Sequence, residues 1–266
     1  MSYHRHREGR QARGDPVLAL SIETFGRWIA SSLTLLAMTM AFGATPSNAQ
    51  AYQCRMDSAP AAIRPAAPDG EIRRLPVTHY TLALSWSPEH CRTRKDSARD
   101  AAQCAGRNGR FGLVVHGLWP EGRGATWPQW CPTPRQVTPS LARRHMCMTP
   151  SAQLLAHEWA KHGSCMTRTP EAYFKAAQIL WDSLLPWLPD YDRLSRKDGL
   201  TAADIRSAFA EANIAWKPEM IGVDLNRRGW LEEIRLCYGR DFMPAECTRQ
   251  QFGAQDNVSA KIWRGL

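Results

Sequence analysis

From His79 to Trp86 apolar and polar positions roughly alternate, a period of two that predicts a β-strand, and Ser87-Pro88 stops it. Residues 111–115 (Phe-Gly-Leu-Val-Val) are nearly all apolar, which predicts a second strand in a central position with His116 at its end. Residues 120–150 are rich in Pro, Gly and Arg and read as a long loop region held by cysteines. The period then changes. Residues 151–162 form a predicted helix, started by Pro150 or Ser151, with Leu154, Leu155 and Trp159 turned to a core and Gly163 where a C-terminal cap belongs. A second helix is predicted over 170–185, its apolar side made by Tyr173, Ala177, Ile179, Leu180 and Leu184. Thr201-Ala-Ala-Asp204 has the spacing of a capping box and opens a third, through about Ala212. A late strand over 230–238 sets Leu231, Glu233, Arg235 and Cys237 on one face and Glu232, Ile234 and Leu236 on the other. Strands and helices without strict alternation, with no repeat and no second domain, predict an α+β fold.

The first 50 residues break this pattern. Arg5, Arg7, Arg10, Arg13 and Arg27 precede an uncharged run of about 16 residues from Trp28 to Gly43, followed by Ser47-Asn48-Ala49-Gln50-Ala51. That order predicts a signal peptide over residues 1–49, cleaved after Ala49 or Ala51. The run falls short of the ~20 residues needed to span a bilayer. A retained anchor is the alternative. Residues 50–75, with the Pro/Ala-rich stretch 59–68, read as a flexible lead, which leaves 76–266 as one domain. The leader holds five arginines against Glu8, Asp15 and Glu23, so of the net charge of +9 about +7 stays with the exported chain. Such a charge suits an anionic partner, nucleic acid above all, although solubility alone explains it as well.

All eight cysteines lie beyond the predicted cleavage site, and an even count in an exported chain reads as four disulfides. Structural zinc wants close Cys pairs, and the tightest spacing here is ten residues, Cys237 to Cys247. Spacing leaves all the roughly 105 possible pairings open.

Two short segments carry the chemistry: His116-Gly-Leu-Trp-Pro120 and His157-Glu-Trp-Ala-Lys-His-Gly-Ser-Cys165. On a helix Glu158 and His162 are four apart on one strip, as are His157 and Lys161 on the next. The Glu158 charge is then expected to favour a protonated His162. His157-Glu158 also opens the zinc-protease pattern H-E-x-x-H, but the second histidine arrives one residue late. His157 and His162 stand about 140° apart around the helix, too far to share one ion. A nucleophilic Cys165 conflicts with an even cysteine count in an oxidising compartment. What remains is acid–base catalysis by histidines from two elements, with Lys161 for an anion. RNA carries its own nucleophile, the 2′-hydroxyl, so one base, one acid and positive charge suffice, with no metal and no cofactor. Trp119 offers a face for stacking a base, worth ~1–3 kcal/mol in nucleic-acid sites. An imidazole after an apolar strand is more often a satisfied buried side chain, and Trp119 alone more often a core residue. The second segment reverses both readings. His79, His90 and His145 lack such company and read as surface or structural.

The paired segments, in this order and in a cysteine-rich exported chain, resemble the two active-site segments of the ribonuclease T2 family, bacterial members most closely. Leu82-Ala-Leu-Ser-Trp86 with Cys91 extends the resemblance, which covers about residues 78–247. It implies a central antiparallel sheet flanked by helices and stabilised by disulfides. It implies His162 as base and His116 as acid, Glu158 and Lys161 stabilising a pentacoordinate phosphorus, and His157 binding phosphate. It also implies Trp119 and Glu121 beside a base, although Glu121 and Ser85 stand where many members have Asp and Gln. Cys131 with Cys165 and Cys237 with Cys247 are the disulfides it implies. The function implied is a metal-independent endoribonuclease of the periplasm or extracellular space, and a monomer is expected. It would cleave single-stranded RNA through 2′,3′-cyclic phosphate to 3′-phosphate ends, with little base preference and an acidic optimum. A catalytically silent RNA-binding relative and a metal-dependent hydrolase are the alternatives.

Overall fold

The computed structural model describes residues 54–56, 60 and 62–265; the predicted signal peptide lies outside them. β1 (His79–Trp86) runs into the short helix α1 (Ser87–Cys91), and α2 (Ala101–Cys104) follows. β2 (Leu113–Glu121) leads through a loop and α3 (Pro139–His145) to α4 (Ala152–Lys161) and a 3-10 turn, Gly163–Cys165. After α5 (Pro170–Leu184), α6 (Tyr191–Leu194) and α7 (Ala202–Ala212) come β3 (Ile221–Leu225), β4 (Leu231–Tyr238) and α8 (Arg249–Phe252). The four strands make one antiparallel sheet in the order β2-β1-β4-β3.

Pleating divides the sheet's two faces. Leu82 pairs with Leu118 and Leu236, and all three are fully buried with Leu155, Trp159, Tyr173, Phe174 and Phe209 of the helices. The neighbouring positions Thr81, Trp119, Glu121, Glu233 and Arg235 give the other face polar and ionisable groups. A core on one face leaves the other available for chemistry.

Several expectations change. The apolar second strand is not central: β2 is an edge, and it continues through Glu121, so His116 sits within it. Its apolar character follows from a covered edge, because Val115 donates to the Met148 carbonyl at 2.9 Å and accepts from the Thr149 hydroxyl at 2.7 Å. The expected loop 120–150 contains α3, capped by the Thr138 hydroxyl on the Leu141 amide. Of the two starts read for α4, Ser151 is the cap, accepting from the Leu154 amide, and the helix ends at Lys161. Gly163 is no left-handed cap; a Cβ there would lie 2.7 Å from both the Trp159 and Tyr173 rings, so close packing selects glycine. β3 and the short helices α1 and α2 escaped the pattern reading because none is long enough to display a period.

Four disulfides join Cys54–Cys147, Cys91–Cys104, Cys131–Cys165 and Cys237–Cys247. The described part of the lead, read as flexible, is tied to the domain. Besides Cys54–Cys147, Arg64 and Gln153 exchange hydrogen bonds at 3.2 and 2.9 Å, and Arg73 and Gln129 exchange backbone bonds at 3.0 and 2.9 Å.

Arg206, fully buried on α7, donates to the carbonyls of Ile221 (2.8 Å), Phe252 (2.7 Å) and Ala254 (2.5 Å) and to the Asp256 carboxylate (2.9 Å). It fastens α7 to β3 and to the segment after α8. Arg206→Ala strands the buried Ile221 carbonyl and the half-buried carbonyls of Phe252 and Ala254, and is expected to destabilise the fold by about 3 kcal/mol, read by denaturant unfolding.

Candidate active site

Ala83 pairs with Gly117 and Leu84 with Val115, so His116 is the extra residue of a β-bulge in β2. A bulge re-aims a side chain, and here it turns the imidazole toward two carboxylates. Nδ1 of His116 lies 2.8 Å from Glu233 Oε2 on β4, and Nε2 lies 3.6 Å from Glu158 Oε1 on α4. Burial alone disfavours the charged ring, but the Glu233 hydrogen bond and both carboxylate charges outweigh it and raise the His116 pKa to about 9. In return Glu233, which burial pushes up, is brought below the usual carboxylate range by His116 and Arg235. Arg235 donates to Glu233 at 2.9 Å and to Asp224 at 2.6 Å, extending the pairing across β3 and β4.

Glu158 is 3% exposed and accepts from the Trp119 indole at 2.8 Å. Burial pushes its pKa up, against the pull of His116 and Trp119. Gly117 is required between them: a Cβ would collide with the Glu158 carboxylate and the Trp119 indole nitrogen.

His162 caps α4, and its backbone (φ −110°, ψ −54°) already departs from the helix. Its ring, 7% exposed, lies 5.7 Å from the Trp119 ring centroid, and its buried Nδ1 has no hydrogen-bond partner among the described residues. Burial first, then the charges of Lys161, His157 and His116, hold its pKa well below 6.5. The expected support of a charged His162 by Glu158 is therefore absent. Glu158 reaches across to His116 instead, because the partner offered by β2 lies nearer than the residue one helical turn on. His157 is also lowered, by burial and then by Lys161.

Lys161 donates to Asp69 Oδ2 at 2.9 Å, and His157 Nε2 stands 3.9 Å from the same oxygen. The Lys161 hydrogen bond and, after some opposition from burial, the Trp130 indole at 3.0 Å lower the Asp69 pKa. Trp130 has φ +54°, uncommon for a bulky residue, and its backbone N–H donates to the Lys161 carbonyl at 2.8 Å. Next to it the Cys131–Cys165 disulfide holds the end of α4.

These groups open on a cavity of about 340 Å³ that His116, Trp119, His157, Glu158, Lys161 and His162 line together. Glu121 lines it too, accepting from Thr81 at 2.8 Å, which itself accepts from Gln251 at 2.7 Å; burial raises the Glu121 pKa. Every residue expected in the site thus faces one cavity. Sequence reasoning missed Glu233, Arg235, Asp69, Thr81 and Gln251. Glu233 and Arg235 left a signal, two charges two apart on one face of the late strand. Asp69, in the lead, left none. Among the described residues no group of three or more His, Cys, Asp or Glu side chains is arranged to hold a metal ion.

The sequence profile of the Ribonuclease T2 family matches residues 77–247. The chain belongs to this family. Among ribonuclease T2 relatives, it is 36% identical over 140 residues to a probable ribonuclease of Haemophilus influenzae, covering 48% of this chain and 50% of that one. To ribonuclease I of Escherichia coli it is 30% identical over 216 residues, covering 65% and 79%. The first two curated relatives are matched over about half their length or less. Solved structures share the fold at 21% identity: an RNase-related protein from Calystegia sepium (TM-score 0.53, 70% of this chain and 97% of that one) and RNase NT in complex with 5′-AMP (TM-score 0.54, 70% and 98%).

Asp69 engages the Lys161 ammonium at the cavity wall. Asp69→Asn removes the charge and keeps the shape, and is expected to tighten binding of a 3′-mononucleotide several-fold by calorimetry. Unchanged affinity would show that Asp69 does not compete.

Proposed function

We propose that this protein is an endoribonuclease that cleaves single-stranded RNA by transesterification without a metal ion. His162, held neutral, takes the proton of the 2′-hydroxyl, whose oxygen attacks phosphorus. His116, held charged, gives its proton to the departing 5′-oxygen. The products are a 2′,3′-cyclic phosphate and a free 5′-hydroxyl. Running the exchange with water in place of the 5′-oxygen gives the 3′-phosphate. The opposite electrostatic push on the two imidazoles is the observation that carries this reading: each ring is biased toward the proton state its role requires.

Lys161, with its ammonium at the cavity wall, would stabilise the phosphorane charge, and neutral His157 would bind a non-bridging oxygen. Glu158, already bonded to Trp119 and beside His116, would orient the acid, not meet the phosphate. Trp119 and Glu121 would contact the base. No helix among the described residues is long and apolar enough to cross a membrane. Export by a signal peptide over 1–49, with action in the periplasm or outside the cell as a monomer, completes the proposal.

The test is RNA digestion by the oxidised protein with EDTA, resolving end groups. Cyclic phosphate ends are expected, with His116→Ala and His162→Ala each slower by about 10²–10⁴-fold. Loss of wild-type activity in EDTA would overturn the metal-free mechanism.

The pH profile follows from the same shifts. kcat/KM should rise as His162 loses its proton below pH 6.5, and fall only as His116 loses its own near pH 9. The plateau is then broader on the alkaline side than the acidic optimum the family resemblance implies. Glu233→Gln removes the charge that raises His116 and should move the alkaline limb to lower pH, leaving the acid limb in place. An unmoved alkaline limb would assign it to another group.

A further inference from the structure

Proton transfer engages one end of the catalytic cavity. The other end is polar, walled by His79, Thr81, Glu121, Thr248, Gln250 and Gln251. A chain of hydrogen bonds runs along this wall, and one end of it fixes its direction. The Thr248 backbone N–H can only donate, and it donates to Gln251 Oε1 at 2.8 Å. Gln251 therefore turns its amide Nε2 to Thr81, donating to the hydroxyl oxygen at 2.7 Å. The Thr81 hydrogen is left for Glu121 Oε1, 2.8 Å away. Thr81 and Gln251 are buried, so neither turns to water instead.

The second oxygen of Glu121, Oε2, has no hydrogen-bond partner among the described residues, and the side chain lines the cavity. Nor is its charge taken by a cation. Arg235 donates to Glu233 and Asp224. His79, opposite Glu121 in the sheet, has Nδ1 2.8 Å from the Thr78 hydroxyl, and burial lowers its pKa.

Gln251 is itself held. Cys247, joined to Cys237 of β4, stands just before Thr248, the cap of α8. After α8 the Ala254 amide donates to the Val223 carbonyl at 2.9 Å. Gly222 makes room for the Gln251 carbonyl, which a Cβ there would strike. Residues 248–254 lie past the region matched to the family.

An ionised carboxylate held in this way only accepts. Among the RNA bases guanine alone sets two N–H donors, at N1 and N2, side by side on its Watson–Crick edge. Uracil has one N–H between two carbonyls. Adenine and cytosine place a ring acceptor beside their amino group, which a carboxylate repels. On β2 the order is His116, Trp119, Glu121. Glu121 is thus the farthest of the three from the acid that serves the departing oxygen, and the base it meets belongs to the nucleotide whose 2′-hydroxyl attacks.

We propose that Thr81 and Gln251 are positioning residues that hold Glu121 as a hydrogen-bond acceptor, so that the site favours guanine in that nucleotide. The inference rests on the ribonuclease reading and departs from the slight base preference that the family resemblance implies.

The experiment measures kcat and KM on the dinucleoside monophosphates GpU, ApU, CpU and UpU at neutral pH, with circular dichroism to check each fold. The wild type is expected to favour GpU over each of the others by about tenfold in kcat/KM. Glu121→Gln, which offers a donor as well as an acceptor, should bring that ratio close to unity. Thr81→Val keeps the shape without the hydroxyl and should lower the ratio about threefold, through a higher KM on GpU. Thr81→Ser, which keeps the hydroxyl, should restore it. A wild type without guanine preference, or a preference that survives Glu121→Gln, overturns the inference while the ribonuclease reading stands. Equal loss on all four substrates in Thr81→Val does the same, since it shows a structural role alone. A wild type that cuts neither these substrates nor a long single strand overturns the ribonuclease reading and this inference with it.

Discussion

The His116 imidazole, 34% exposed, stands between two carboxylates that favour its charged form. Desolvation opposes that charge, so the fold surrounds the ring with compensating acids: Glu233 on Nδ1 and Glu158 beside Nε2. Much of the local architecture follows. β2 gains one residue to turn His116 out of register, Gly117 gives up a side chain so that Glu158 can approach, and β4 carries the Glu233–Arg235 pair opposite. Neither acid is left uncompensated, because Trp119 bonds one and Arg235 the other.

The same low-dielectric setting acts in reverse at His162. Its ring is buried against Trp119, lacks a carboxylate partner, and sits near the charges of Lys161 and His116, so the neutral form prevails. Two identical side chains are thereby driven apart within one cavity. The difference is not intrinsic to either residue. It comes from which one was given acids and which one cations.

Disulfides and backbone bonds hold the elements that bring these groups together. Cys131–Cys165 and the Trp130–Lys161 backbone bond fix the last turn of α4, which carries Lys161 and His162. Cys54–Cys147 brings the lead alongside, and with it Asp69 reaches Lys161. Such crosslinks restrict the unfolded chain more strongly the longer the loop they close, and the 93-residue span of Cys54–Cys147 is the longest here.

Local patterns fixed what depends on near neighbours. The alternation of residues 79–86, a helix start at Pro150 or Ser151 and the Thr201–Asp204 capping box could be read from spacing, because helix and strand periods act over a few residues, and the two histidine-bearing segments that line one cavity stood out by their residue types. The pairing of Cys131 with Cys165 and of Cys237 with Cys247 needed the family resemblance. Contacts between distant elements lay outside any such pattern. That β2 is an edge was hidden because its covering comes from Met148 and Thr149, and Glu233 meets His116 only across 117 residues of chain. The proton state of each histidine was hidden for the same reason. The sequence determined which groups were available and the elements that carry them, whereas their charge depends on burial and on partners that only the folded sheet brings within a few ångströms.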